Sequence, residues 1–193
     1  MKTKKAIDLC KKTGVLNIYC DKDVQWISNG AAIYSLWGLP ELDEISVCLA
    51  YDIDSKKAEK MTIKRYPELP DTINLEDNTP DEAQLEEYTK FGLRYMGRDL
   101  RALIEKGTVI FIDKAYLAPL SDIPYEDLFY FARTDKSGQT YITVKQGLEI
   151  VAAIYPVRVI EESFVAEINT FAQLCETTFD IQSYKKGGDG LCG

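Results

Sequence analysis

Two apolar runs meet at an Asn-Gly pair in VQWISNGAAIYSL (24–36), with a large indole, Trp26, close to the bend. Asn-Gly is the strongest short-range hairpin signal, because a type I′ loop needs positive φ at both central positions. A chain that carries it is committed to antiparallel pairing on either side. The same grammar extends outward: VLNIYC (15–20) precedes VQWIS (24–28) across a DKD turn, and AAIYSL (31–36) follows, so three short strands read as a meander. Ahead of them, residues 2–13 set Ala6, Leu9 and Cys10 on one side of a helix and lysines on the rest, with Gly14 as the stop. Pro40 opens a short acidic helix or a turn before the mixed run ISVCLAYDI (45–53).

The second half repeats this order. FGLRYMGRDLRALIEKG (91–107) reads as a helix ending at Gly107 and TVIFID (108–113) as a β-branched strand. AYLAPL (115–120) is a short helical step, followed by strands in DLFYFART (127–134), QTYITVK (139–145) and LEIVAAIYPVRVI (148–160). A last helix, EESFVAEINTFAQLCETTF (161–179), carries Phe164, Ile168, Phe171, Leu174 and Cys175 at helical spacing. Between the halves, YPELPDTINLEDNTPDEAQLEEY (66–88) holds three prolines and eight acidic residues without a lysine or arginine, the composition of a linker or exposed excursion, and Thr79 with Pro80 could start a helix there. The expected organisation is an α+β protein of two helix-plus-antiparallel-meander halves, 1–66 and 91–180, joined by an acidic segment at 67–90 and ended by a mobile tail at 181–193.

Composition bounds the chemistry. At 193 residues, 46% hydrophobic and 28% charged, the chain is long enough for a well-cored domain and lies away from the disordered class. It contains no histidine, which excludes Ser-His and Cys-His nucleophile pairs and the usual zinc and iron sites. Five widely spaced cysteines lack a C-x-x-C pair, and no run approaches a membrane span, so a cytoplasmic protein with free thiols is expected. The lysine-bearing N-terminus has its apolar run broken by Asp8, Lys11 and Lys12, so no signal-peptide core is read there.

Two segments carry a family resemblance. WISNGAAIYSL resembles the hairpin of sliding DNA clamps, the processivity rings of replicative polymerases, and FIDKAYLAPLSD with the closing AAIYPVRVI is similar to the clamp pattern of a strand, a helix start and a terminal strand around Pro156. The pattern covers roughly 15–36 and 109–160. Asn29 stands where such turns usually have Asp, Tyr155 and Val157 flank Pro156 where clamps favour methionine, and the chain could hold at most two of the three domains of a bacterial-type clamp. The resemblance implies a shortened, non-enzymatic protein of phage or mobile-element type, with no cofactor, metal or catalytic residue. Its ring-lining helices would face double-stranded DNA, and Tyr155, Pro156, Val157 and Arg158 would receive a peptide of a replication protein. Self-assembly into a homo-oligomer would follow.

Charge bears on this independently. The net charge of −8 argues against general nucleic-acid affinity, yet Lys2, Lys4, Lys5, Lys11 and Lys12 crowd the first helix, while Arg94, Arg98 and Arg101 fall at i, i+4 and i+7 of the 91–107 segment. Lys4, Lys5, Lys11, Lys12, Arg94, Arg98 and Arg101 are therefore the candidate DNA-contacting residues, although an ordinary solvated helix face carries the same kind of stripe. Trp26 and Trp37 are expected to pack a sheet core, with base stacking or peptide gripping as the functional alternative. Asp52 and Asp54, with Asp21, Asp23, Glu41 and Asp43 in the same half, form a weak D-x-D signal for magnesium. Two rival functions follow: an acidic interaction module without DNA contact, whose 67–90 segment engages a basic partner, and a carboxylate-dependent metal enzyme.

Overall fold

A computed structural model describes residues 1–77, 82–105 and 108–158, of which Met1–Val157 form one compact unit. The protein is α+β, built on one large mixed sheet with few helices. Helix α1 (Thr3–Thr13) leads into the meander β1 (Val15–Asp21), β2 (Val24–Ser28) and β3 (Ala32–Ser35). Short helices α2 (Glu44–Ala50) and α3 (Ser55–Ala58) then carry the chain to β4 (Thr62–Tyr66), which lies parallel to β1. After the acidic excursion come β5 (Ala83–Tyr95), β6 (Arg98–Glu105) and β7 (Thr108–Asp113), the short 3₁₀ helix η1 (Lys114–Leu120), and a second meander of β8 (Leu128–Thr134), β9 (Thr140–Gln146) and β10 (Glu149–Ile154). The strand order is β4-β1-β2-β3-β10-β9-β8-β5-β6-β7.

The two meanders meet at β3 and β10, which pair antiparallel with Ile33 opposite Ala153. Read outward from that seam, β3-β2-β1 and β10-β9-β8 run in mirrored order, each meander following a helical segment in sequence. α1 and η1 pack together: the Lys2 N–H donates to Pro119 O at 2.7 Å, and both segments seat on the same core of Ile18, Ile27, Tyr34, Ile142 and Ile154. At the far edge, Val157 N–H donates to Phe111 O on β7 at 2.7 Å, so the sheet curls until its last strand touches the chain leaving β10.

The first hairpin differs in detail from the sequence expectation. Its two-residue loop is Gly30-Ala31, because Asn29 N–H pairs with Ala32 O at 3.2 Å and positive φ occurs at Gly30 alone, +90°. Glycine first is the order of a II′ loop. Asn29 serves instead as an anchor, its Oδ1 accepting from Ala31 and Ala32 N–H at 3.0 and 2.9 Å.

A larger correction concerns 91–107, which holds no helix among its described residues. Tyr95 pairs with Arg98 across a two-residue loop, Met96-Gly97, with φ of +48° and +77°, and strands β5 and β6 run either side. The apolar spacing misleads because β6 is covered on both faces: Leu100, Ala102 and Leu103 are all buried, so strand alternation is lost. The acidic stretch is likewise part strand, since β5 begins at Ala83 and Leu85 pairs with Tyr130 on β8. Residues 79–81, where a helix start was expected, together with the 161–179 helix and the 181–193 tail, lie outside the described residues.

The earlier part of the acidic stretch is strapped across the outer face of the sheet. Leu69, Ile73 and Leu75 cover a second cluster of Tyr19, Trp26, Ile33 and Ile150. Beyond it, Arg133 and Lys145, buried on β8 and β9, hold the strap by its carbonyls and carboxylates: Arg133 donates to Asn74 O and Glu76 O at 2.9 and 2.8 Å, and Lys145 to Asp77 O and Glu82 Oε1 at 2.8 and 2.7 Å. Buried cations are tolerated only when paired and hydrogen-bonded in this way.

Candidate functional site

The α1–η1 surface is the first candidate. α1 buries Ala6, Ile7 and Cys10, which turns Lys4, Lys5, Asp8 and Lys12 to solvent. Gly14 closes it in the left-handed conformation, φ +75°, its N–H on Cys10 O, and Lys11 and Lys12 sit in the last turn where the helix dipole favours cations. The opposite end breaks the rule: the first turn holds Lys4 and Lys5 and no acidic residue. Cations there oppose the dipole by about 0.3–1 kcal/mol each. Lys2 and Lys5 both reach Ser121 Oγ just beyond η1, at 3.2 and 3.0 Å, and η1 adds the exposed Lys114.

The remaining expected DNA-contacting residues are placed elsewhere. Lys11 donates to Tyr51 O at 2.6 Å and lies against Asp8, so it is tied down on the side of α1. Arg94, Arg98 and Arg101 form no stripe, because on strands of period two Arg94 and Arg101 share one face and Arg98 takes the other. Arg94 pairs weakly with Asp99 at 3.8 Å. Arg101 is half-buried: its Nε lies 3.0 Å from Glu87 Oε1 without the alignment of a hydrogen bond, its Nη1 donates to the Tyr130 hydroxyl at 3.2 Å, and its guanidinium stacks over Tyr125.

The expected partner contacts at 155–158 are largely used by the fold. Tyr155 N–H pairs with Ala31 O and its ring packs near Tyr141, Val157 pairs with β7, and Arg158 is exposed. The D-x-D pair also has local duties: Asp52 occupies a turn with φ +53° and Asp54 caps α3 through Lys57 N–H. Among the described residues no group of three or more Cys, Asp or Glu is arranged to hold a metal. No helix among them is long and apolar enough to cross a membrane. The acidic strap offers fewer open carboxylates than its composition suggests, since Asp77 and Glu82 neutralise Lys145 and Arg133, and Glu76 pairs with Lys22.

The second candidate is a cleft of about 460 Å³ where β2 and β10 begin and β3 ends. Trp26 and Ile150 form its floor, and Trp37, Leu39, Leu75 and Leu148 stand round it. Trp26 is the core residue expected of it, whereas Trp37 is 68% exposed, contrary to the expectation of a core pair. Leu39 and Leu148 were not singled out from sequence. The available signal was position: WGLP and QGLE set large apolar residues beside turn glycines, where a side chain cannot reach the core.

Comparison with known families, curated proteins and solved structures gives no match.

Proposed function

We propose that the chain is a non-enzymatic, clamp-like protein that contacts double-stranded DNA without reading its sequence, acts with replication partners in the cytoplasm and works through self-assembly. The observation that carries this reading is the duplicated helix-then-meander order about the β3–β10 seam, with α1 and η1 packed side by side on one core. That is the arrangement the clamp resemblance calls for, with η1 taking the place assigned from sequence to 91–107. Tyr34 ties the two halves together, its buried hydroxyl donating to Tyr116 O at 2.8 Å.

Charge placement supports the same surface. Lys4 and Lys5 stand where helix stability disfavours them, and departures from local rules gather at functional positions. Together with Lys12 and Lys114 they give a ridge suited to phosphate contacts, which position a protein on duplex without specifying a base. The DNA-facing set is thus Lys4, Lys5, Lys12 and Lys114, without Lys11, Arg94, Arg98 or Arg101.

A photo-crosslinking residue placed at Lys12 or Lys114 tests this. Both positions should crosslink to random-sequence duplex, and the same group at Lys64 on the edge strand β4 should not. Crosslinking that is equal at all three, or absent from α1 and η1, removes the reading. Salt-sensitive capture of a basic protein with no DNA association would favour the interaction module instead.

A further inference from the structure

The cleft at the start of β10 lies at the opposite end of that strand from Tyr155–Arg158, and the clamp resemblance does not account for it. Three apolar side chains on its walls stand in water: Trp37 is 68%, Leu39 43% and Leu148 80% exposed. Apolar groups clustered this way mark surfaces that another molecule covers. Beneath them Trp26 is only 6% exposed, and its Nε1–H is buried with no acceptor among the described residues, so the cleft presents the indole ring rather than its N–H.

Among the described residues the charged side chains that line the cleft are both acidic, Asp77 and Glu149, and the amino group of Met1, which also lines it, is paired with Asp122. Asp77 already shares a proton donor with the sheet, Lys145 Nζ at 2.9 Å, while Glu149 is exposed at the mouth. A phosphate-bearing or acidic ligand would meet like charge here.

We propose that this cleft docks a short extended peptide of a partner protein, carrying at least two large apolar side chains with a lysine or arginine beside them. The apolar groups fill the space between Trp37, Leu39 and Leu148 over the Trp26 ring, and the cation faces Glu149. The proposal stands on the cleft alone and does not depend on the DNA reading.

Trp26 and Trp37 are the chain's two tryptophans, and both line the cleft, so indole signals report its occupancy directly. Short random peptides displayed on phage are selected against the full chain, and the enriched sequences are synthesised and titrated while the Trp26 indole N–H resonance is followed. Enriched peptides should combine apolar residues with lysine or arginine and shift that resonance. They should bind Trp37→Ala and Leu148→Glu about tenfold more weakly or worse, the loss expected on truncating an anchor. Both substitutions are at exposed positions, and circular dichroism checks that the fold persists. The proposal is overturned if no sequence is enriched, if enriched peptides are acidic, or if they bind Leu148→Glu as well as the parent. Self-association of the full chain that Leu148→Glu abolishes would likewise overturn it, assigning the cleft to a second copy.

Discussion

Arg133 on β8 grips Glu82 through two donors, Nε at 2.9 Å and Nη2 at 2.5 Å, with the arginine side chain 1% exposed. The same carboxylate takes Lys145 on its other oxygen at 2.7 Å, and Asp77 meets Lys145 at 2.9 Å, so two carboxylates balance two buried cations with Glu82 shared between them. This joint explains how so acidic a stretch lies against a sheet instead of standing off in solvent.

Replacing Glu82 with alanine should therefore be severe. Two cations would remain buried with one carboxylate, Asp77, between them, and breaking a buried pair from one side costs about 3–5 kcal/mol. Urea denaturation should show a stability loss of that size as a lower midpoint with the slope unchanged. A change under about 0.5 kcal/mol, typical of surface sites, would mean the strap is not anchored there.

The same group sets a pH dependence. Burial pushes the Glu82 carboxyl up, but hydrogen bonds from Lys145 and Arg133, with their charges, outweigh it and hold the folded pKa below the ordinary 4.5. A folded pKa below the unfolded one gives stability that is fully present above the unfolded value and is lost as pH falls through the folded one. The gap in stability between the parent and Glu82→Gln should be widest at neutral pH and close steadily below about pH 4. A gap that stays constant down to about pH 3 would assign the loss to geometry rather than charge.

The β5–β6 loop has a residue poorly suited to its conformation. Met96 adopts φ +48° and is 83% exposed, in a two-residue loop that favours asparagine or glycine at that position. Met96→Asn should raise stability by a few tenths to about 1 kcal/mol, and Gly97→Ala, at φ +77°, should lower it by about 1–2 kcal/mol. Opposite signs for the two changes in thermal unfolding would support the hairpin. A helix over 91–107 would instead be strengthened by Gly97→Ala.

Packing of α1 can be read through Cys10. It is fully buried, and burial pushes its thiol up to about 12. Since the thiolate is the reactive form, native protein at mildly alkaline pH should leave Cys10 unalkylated while the half-buried Cys20 and Cys48 react, as mass spectrometry of the digested protein would show. Prompt labelling of Cys10 would mean that α1 does not stay seated on the core.

What could be read from the sequence, and what could not, follows from local against tertiary signals. α1 and the strands 15–21, 24–28, 128–134 and 140–146 declare themselves because apolar residues recur at a fixed period and Gly or Asp turns bound them. The 91–107 stretch misleads because Leu93, Leu100, Leu103 and helix-forming charged residues mimic a helical face, while Met96-Gly97 is a weaker turn signal than Asn-Gly. β4 escaped notice: TIKRY is mostly exposed on an edge, and its partner β1 lies more than forty residues earlier. Of the residues expected from sequence to contact DNA, the lysines lie on a helix read correctly, whereas Arg94, Arg98 and Arg101 lie on the strands β5 and β6 of a segment misread as helix, and the cleft was hidden because Trp37 and Leu148 meet only after the β3–β10 seam forms.

The affinity of the protein for random-sequence duplex, followed by fluorescence anisotropy between about 50 and 200 mM salt, tests the central claim most directly. Binding whose logarithm falls linearly with the logarithm of salt is expected, with the slope reduced by roughly 0.9 for each lysine reversed in Lys4→Glu, Lys5→Glu and Lys12→Glu. No association at about 50 mM salt, or a slope that these substitutions leave unchanged, would contradict it.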